Sequence, residues 1–207
     1  MNIKEIKSKL EKRNPKPEGY YEFFGVMVPI IEINGSLHIL LEIRSSKLKS
    51  QPGEISFPGG KMEEGETPDI AAIREIREEL MIPESSIKIL KALDYLVTPF
   101  NFIIYPFTAQ INDIDIKDLK ENPDEIEDII IVPLKFFLEN EPKEFIVNVG
   151  ITSFGAFPFE LIPGGENYYW KTGMYPIYFY EYKGMIIWGI TARIIKNLID
   201  VIKRALS

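Results

Sequence analysis

Glu75, Glu78 and Glu79 stand at i, i+3 and i+4 in the stretch Arg74-Glu-Ile-Arg-Glu-Glu79, so a helix would carry all three carboxylates on one face. Packed that closely they repel one another and weaken the helix unless cations compensate. Arg74 and Arg77 could neutralise the set, and so could a hard divalent ion. Mg²⁺ is commonly held by a few carboxylates together with water and substrate phosphate oxygens. Upstream, Pro58-Gly59-Gly60 reads as a tight turn, and glycine there would let bare backbone carbonyls approach the same ion. Such a set suits a cation shared between the protein and phosphate oxygens.

The elements that must position these residues are legible in outline. Ile3, Ile6 and Leu10 recur at helical spacing, which predicts an amphipathic helix over about 2–13, followed by the proline-containing linker Asn14–Gly19. Phe23–Ile33 and Leu37–Ile43 are rich in Val, Ile and Phe around Asn34-Gly35 and predict a hairpin. A lysine-rich loop, Ser45–Gly53, leads to a short strand at Glu54–Phe57. Thr67 or Asp69 caps a helix that begins near Pro68, with Ala71, Ala72, Ile76 and Leu80 on its apolar face and Pro83 as its latest end. Strands are expected at Ile87–Leu96, Phe102–Ile111 and Ile126–Val132, with a short helix at Leu134–Leu138. Ile190, Ile194, Ile195, Leu198 and Ile202 predict a closing helix within Trp188–Leu206. Between Glu144 and Tyr182, strand-like pieces alternate with Gly, Pro and aromatic residues in no order that the pattern decides. The chain reads as α/β, a mixed sheet between helices, in a single domain over residues 1–207 with an elaborated region at about 139–182.

The stretch from Gly60 to Ile82 resembles the Nudix box, G-x5-E-x7-R-E-U-x-E-E-x-G-U, in which U is a bulky aliphatic residue. Gly60, Glu66, Arg74, Glu75, Ile76, Glu78, Glu79 and Ile82 all fit, and the one departure is Met81 at the second glycine. That glycine usually ends the helix, often with positive φ, so Met81 would strain the turn or end the helix differently. The resemblance implies a Nudix-type α/β/α sandwich with a mixed β-sheet. It makes Glu75, Glu78 and Glu79 acidic residues of a Mg²⁺ site (Mn²⁺ as a substitute), with the Gly59 carbonyl as a further ligand. Arg74 and Glu66 become supporting residues, an ion pair that fixes the helix against its preceding loop. Family members often add a glutamate from a later segment as ligand or general base; Glu125 is the first candidate here and Glu127 the second. The implied chemistry is attack of water on one phosphorus of a diphosphate, with a glutamate taking the proton.

A second stretch bears on substrate. Arg44, Ser45, Leu48, Gly53 and Phe57–Gly60 match the segment upstream of the box in coenzyme A diphosphatases, with Lys49 where an arginine is usual. Ile186-Ile-Trp188-Gly-Ile-Thr191-Ala192-Arg193 is similar to the ending of that subfamily. The resemblance implies hydrolysis of coenzyme A or its derivatives to 3′,5′-ADP and 4′-phosphopantetheine or its acyl form, with Arg44, Lys47 and Lys49 as phosphate-binding residues. Other readings are a Nudix hydrolase of ADP-ribose, dinucleotides or nucleoside triphosphates, or a catalytically silent Nudix-fold binding module. The silent module predicts an eroded carboxylate set, yet all three glutamates are present. Tyr168, Tyr169, Trp170 and Tyr175 would shape a substrate pocket or, the preferred reading, serve as core and as the surface of a homodimer.

Composition narrows the classes. The net charge of −7 argues against a nucleic-acid polymer as partner, because phosphate backbones are bound by clustered cations. With no cysteine, disulfide scaffolds, zinc–thiolate sites and thiol nucleophiles are excluded. His38, the one histidine, has no serine–acid pair around it that would suggest a triad. No apolar run suits a signal peptide or a membrane helix, so no membrane partner and a cytoplasmic location are expected.

Overall fold

The computed structural model describes residues 2–11, 13–114, 117, 119–153 and 155–206. Lys12, inside the expected first helix, and Phe154, inside the expected elaborated region, lie outside the described residues. In chain order the first elements are α1 (Ile3–Glu11), β1 (Glu22–Ile33), β2 (Ser36–Arg44), β3 (Ile55–Ser56), β4 (Gly59–Lys61) and α2 (Pro68–Glu79). There follow β5 (Ile87–Ala92), β6 (Leu96–Val97), β7 (Phe102–Ile111), β8 (Ile126–Pro133) and α3 (Leu134–Glu139). The last are β9 (Lys143–Val149), β10 (Gly173–Tyr182), β11 (Met185–Trp188) and α4 (Gly189–Leu206).

β1 and β2 form the expected hairpin, and both central residues have positive φ, 50° at Asn34 and 77° at Gly35, as two-residue hairpin turns favour. The other edge of β1 pairs in parallel with β7, from Glu22↔Phe102 to Ile31↔Ile111. β2 pairs antiparallel with β8 and β3, while β5 and β6 pair antiparallel with β7. The result is a mixed sheet of eight strands.

Two expectations need correction. Gly59 and Gly60 are not a turn; they are the paired residues of β4, opposite Val26 and Gly25 of β1. The strand expected over 87–96 is broken into β5 and β6, and Leu93 donates to the Pro106 carbonyl at 2.9 Å. Pro106 has no N–H to return, so the ladder lapses opposite it.

Side-chain alternation along β2 assigns the layers. Leu40 faces α2 and packs with Met27, Ala72, Ile76, Leu80 and Ile111, whereas Ile39 and Leu41 face the opposite way. On that opposite face they meet Phe137 of α3 and Ala192, Ile195 and Leu198 of α4, so helices cover the sheet on both sides. A second sheet, in the order β11-β10-β9, joins the α4 side through Tyr180 and Ile187. α1 keeps its apolar stripe in solvent, with Ile3 and Leu10 exposed. Among the described residues no helix is long and apolar enough to cross a membrane.

Among the described residues, the aromatics between β9 and β10 do not enter the core. Tyr168 and Tyr169 are exposed, and Tyr168 and Phe157 each pack on Trp170, at ring separations of 4.9 and 5.9 Å. The segment holds too few aliphatic residues to be drawn under the sheet.

The end of α2 explains the departure at Met81. Leu80 closes the helix by donating to the Ile76 carbonyl at 3.1 Å, and Met81 then takes a left-handed φ of 51°. That conformation costs a side-chain-bearing residue about 1–2 kcal/mol, while glycine adopts it freely at some entropic loss on folding. Met81→Gly is therefore expected to stabilise the protein by about 0.5–1 kcal/mol, read as a rise in Tm of about 1–4 °C.

Candidate metal centre

The centre is built where α2 crosses the bare backbone of β1 and β4. A Cβ placed on Gly25 would lie 2.0 Å from the Pro68 carbonyl oxygen and 2.7 Å from the Ala72 nitrogen. A Cβ on Gly60 would lie 2.0 Å from Glu75 Oε1. Glycine at both positions is what lets the acidic face of α2 press against the strand pair.

Glu79 points into this contact. It is 3% exposed, and its Oε2 accepts the Gly59 N–H at 3.0 Å. Burial pushes its carboxyl far above the usual range, and the nearby Glu42 and Glu75 carboxylates push it further. Glu75 is shifted the same way, again by burial first, against the pull of Arg74. Glu78, at the rim, is more than half exposed.

Arg74 is the hub of the upper side. Its guanidinium donates to Glu66 at 2.8 and 3.1 Å, to Glu75 at 2.7 Å, to Glu78 at 3.3 Å and to the Lys61 carbonyl at 3.0 Å. Glu66 also accepts the Glu63 N–H at 2.8 Å, and the Arg74 bond, with that one, holds its carboxyl below the ordinary range. The expected ion pair between Glu66 and Arg74 is present and ties α2 to the loop before it.

Glu125 reaches the same space from the turn before β8. It is half-buried and repels the carboxylates of Glu42, Glu75 and Glu79. The Asn122 N–H donates to the Glu79 carbonyl at 2.9 Å, which ties that turn to the end of α2. Glu127 is instead exposed and accepts the Ser46 N–H at 3.3 Å, so of the two later glutamates only Glu125 joins the cluster.

Arg44, at the end of β2, lies beside Glu42, and its Nε is buried with no hydrogen-bond partner among the described residues. Lys47 bonds the Pro123 carbonyl at 3.3 Å and pairs with Asp124 at 3.6 Å, next to Glu125. Lys49 is exposed and makes no bond or ion pair among the described residues. His38 sits away from the cluster near the hairpin turn, its Nδ1 3.0 Å from the Ser36 carbonyl. A cleft of about 770 Å³ opens beside the Arg74 network, lined by Tyr20, Phe23, Lys61, Glu66, Phe100 and Phe102.

Glu42 was not expected. It is completely buried in β2, Oε1 accepts the Ser56 hydroxyl at 2.9 Å, and Oε2 has no partner among the described residues. Burial raises its pKa, opposed by the bond from Ser56 and by Arg44.

A hard divalent cation fits this donor set. All donors are oxygens, the deeper ones are short of positive charge, and one buried carboxylate oxygen is orphaned. As the side chains stand, Arg74 occupies Glu75 and Glu78, and no three His, Cys, Asp or Glu among the described residues are gathered tightly enough to grip an ion. Raised carboxyl pKa values in the folded state give stability that is full below the ordinary carboxylate range and is lost as pH rises through the folded values. In EDTA, Tm is therefore expected to fall as pH rises from about 5 toward 10, and Mg²⁺ to restore it most at the upper end. A thermal-shift series with and without Mg²⁺ measures this.

Residues 24–147 match the NUDIX domain. The peroxisomal coenzyme A diphosphatase of Mus musculus is 36% identical over 124 residues, covering 56% of this chain and 48% of that protein. An uncharacterized Nudix hydrolase of Photorhabdus laumondii is 30% identical over 181 residues, covering 84% of this chain and 81% of that protein. The crystal structure of a MutT/nudix family protein from Enterococcus faecalis superposes with a TM-score of 0.51 at 14% identity, over 98% of this chain and 70% of that one, a likeness of fold. The chain spans about half the length of the first curated relatives it matches. The matched segment holds the strand pair, the acidic helix and the turn before β8, and the chain belongs to the Nudix family.

Proposed function

We propose that this protein is a Mg²⁺-dependent hydrolase that cleaves the diphosphate bond of coenzyme A or its derivatives, giving 3′,5′-ADP and 4′-phosphopantetheine or its acyl form. The observation that carries the reading is the crowding of Glu75 and Glu79 against the β4 glycines, with the Glu42 and Glu125 carboxylates close enough to repel them and too little positive charge among the four. Glu75, Glu78 and Glu79 would hold the cation, with the Gly59 carbonyl as a further donor. A divalent cation so held neutralises phosphate oxygens and makes bound water more acidic. Arg74 keeps α2 seated on the Glu66 loop, and Glu75 and Glu78, which it now bonds, would be the residues that hold the ion. Glu125, half-buried and free of any ion pair among the described residues, would take the proton of the attacking water.

Substrate choice rests on the second set of residues. Arg44, with its unpartnered Nε, and Lys47, beside Glu125, supply positive charge for the phosphates on the β8 side of the centre. Lys49 would meet the substrate from the loop. The cleft beside Glu66 has the volume of a small-molecule site and aromatic walls suited to an adenine ring or a pantetheine arm. The mouse relative named a coenzyme A diphosphatase supports this substrate over other diphosphates.

The test is incubation of the purified protein with coenzyme A and with ADP-ribose, with and without Mg²⁺, and identification of products by mass. Release of 3′,5′-ADP from coenzyme A only when Mg²⁺ is present is the expected result. AMP from ADP-ribose with coenzyme A untouched would overturn the substrate, and no turnover of either would favour a binding module.

A further inference from the structure

We propose that Glu42 is a ligand of the divalent cation in this centre, contributing its free Oε2 from beneath the carboxylates of α2. The inference rests on the Mg²⁺-dependent reading above and adds to it a residue from outside the acidic helix.

Glu42 stands on the face of β2 that Leu40 shares, the face turned to α2, and none of its surface reaches solvent. An ionised carboxylate taken wholly out of water loses several kcal/mol of solvation unless its oxygens are matched by donors or positive charge. Only half of that matching is present. Ser56, directly opposite on β3, donates its hydroxyl to Oε1 at 2.9 Å and so orients the group. Oε2 receives no hydrogen bond among the described residues. Its cationic neighbour among the described residues is Arg44, whose own Nε is buried and unbonded there, so the two charges lie near each other without closing an ion pair. Its other charged neighbours are Glu75, Glu79 and Glu125.

A carboxylate kept for structure alone would have both oxygens bonded. Alternatively, a glutamine of equal size would take the Ser56 hydroxyl and avoid the repulsion from three glutamates. One oxygen pinned and the other left bare toward an acidic cluster is instead the arrangement of a side chain that presents a single ligand atom. A dication between Glu42 and Glu79 satisfies the orphaned oxygen and offsets the repulsion that the fold otherwise carries.

The experiment is an Mn²⁺ titration of the full chain without substrate, read by loss of the free-ion electron paramagnetic resonance signal, on the wild type and Glu42→Gln. Glu42→Gln is expected to weaken Mn²⁺ binding at least tenfold while its Tm in EDTA stays level or rises, because a buried charge has been removed. Wild-type affinity in Glu42→Gln would overturn the role of Glu42 and leave the hydrolase reading intact. Failure of the wild type to bind Mn²⁺ at all would overturn both. Crystals of the wild type grown with Mn²⁺ give an answer free of any substitution: anomalous density within coordination distance of Glu42 Oε2 supports the assignment. An ion held by α2 carboxylates alone overturns it.

Discussion

Glu79→Gln is expected to lower Mg²⁺-dependent hydrolysis by about 10²–10⁴-fold, the range over which loss of a positioned acid–base or charge-bearing group is felt. Glutamine fits the same volume and can still accept the Gly59 N–H that now bonds Oε2 at 3.0 Å. Only the charge is lost, and that charge is buried among like charges from Glu42 and Glu75. The variant should therefore melt no lower than the wild type in EDTA, and it should lose most of the stabilisation that Mg²⁺ gives. Glu78→Gln, at the exposed rim, is expected to share the loss of turnover with almost no change in Tm. Steady-state kinetics beside thermal melts separate the two effects. Near-normal turnover by both variants would remove these residues from the metal site.

Gly25→Ala is expected to be the most disruptive small substitution in the protein. The added methyl would stand 2.0 Å from the Pro68 carbonyl oxygen and 2.7 Å from the Ala72 nitrogen, and both are backbone atoms of α2. Neither can step aside alone, so the helix must lift off β1, at about 3 kcal/mol and a fall in Tm of roughly 6–12 °C. Lifting α2 also draws Glu75 and Glu79 away from β4, so activity is lost together with stability. Gly60→Ala makes an equally short contact, 2.0 Å, but with Glu75 Oε1, the end of a side chain that can turn away. It is expected to leave Tm within a few degrees while turnover drops at least tenfold. A parallel fall in Tm for the two variants would mean that Gly60 serves packing of the helix rather than placement of a carboxylate.

The contrast between these glycines also shows what was legible beforehand. The spacing from Gly60 through Glu66 to the glutamates of α2 is contiguous, and a contiguous stretch announces its chemistry in sequence. Arg74 and Glu66 meet as that stretch implied. Glu125 could be singled out because it precedes a strand with acidic neighbours, and only the β2–β8 pairing decides between it and Glu127. Glu42 belongs to no contiguous pattern. Its one signal was alternation: a glutamate two residues from Leu40 in an apolar strand shares that residue's buried face. Gly59 and Gly60 read as a turn because glycine usually marks one, whereas here their bareness admits a helix. The β9–β11 sheet was only partly foreseen, since glycine, proline and exposed aromatics between β9 and β10 obscure the period of two.

The parallel union of β1 with β7 has a consequence for how the protein comes into being. Strands so far apart along the chain cannot join until everything between them, α2 included, has been made, and non-local pairings of this kind are slow to form. Glu125 arrives later still, with β8, so on the ribosome the acidic helix emerges before the residues that will shelter it. Until β7 and β8 dock, its carboxylates remain hydrated and mutually screened by water, and the desolvated cluster cannot assemble before β8 has emerged.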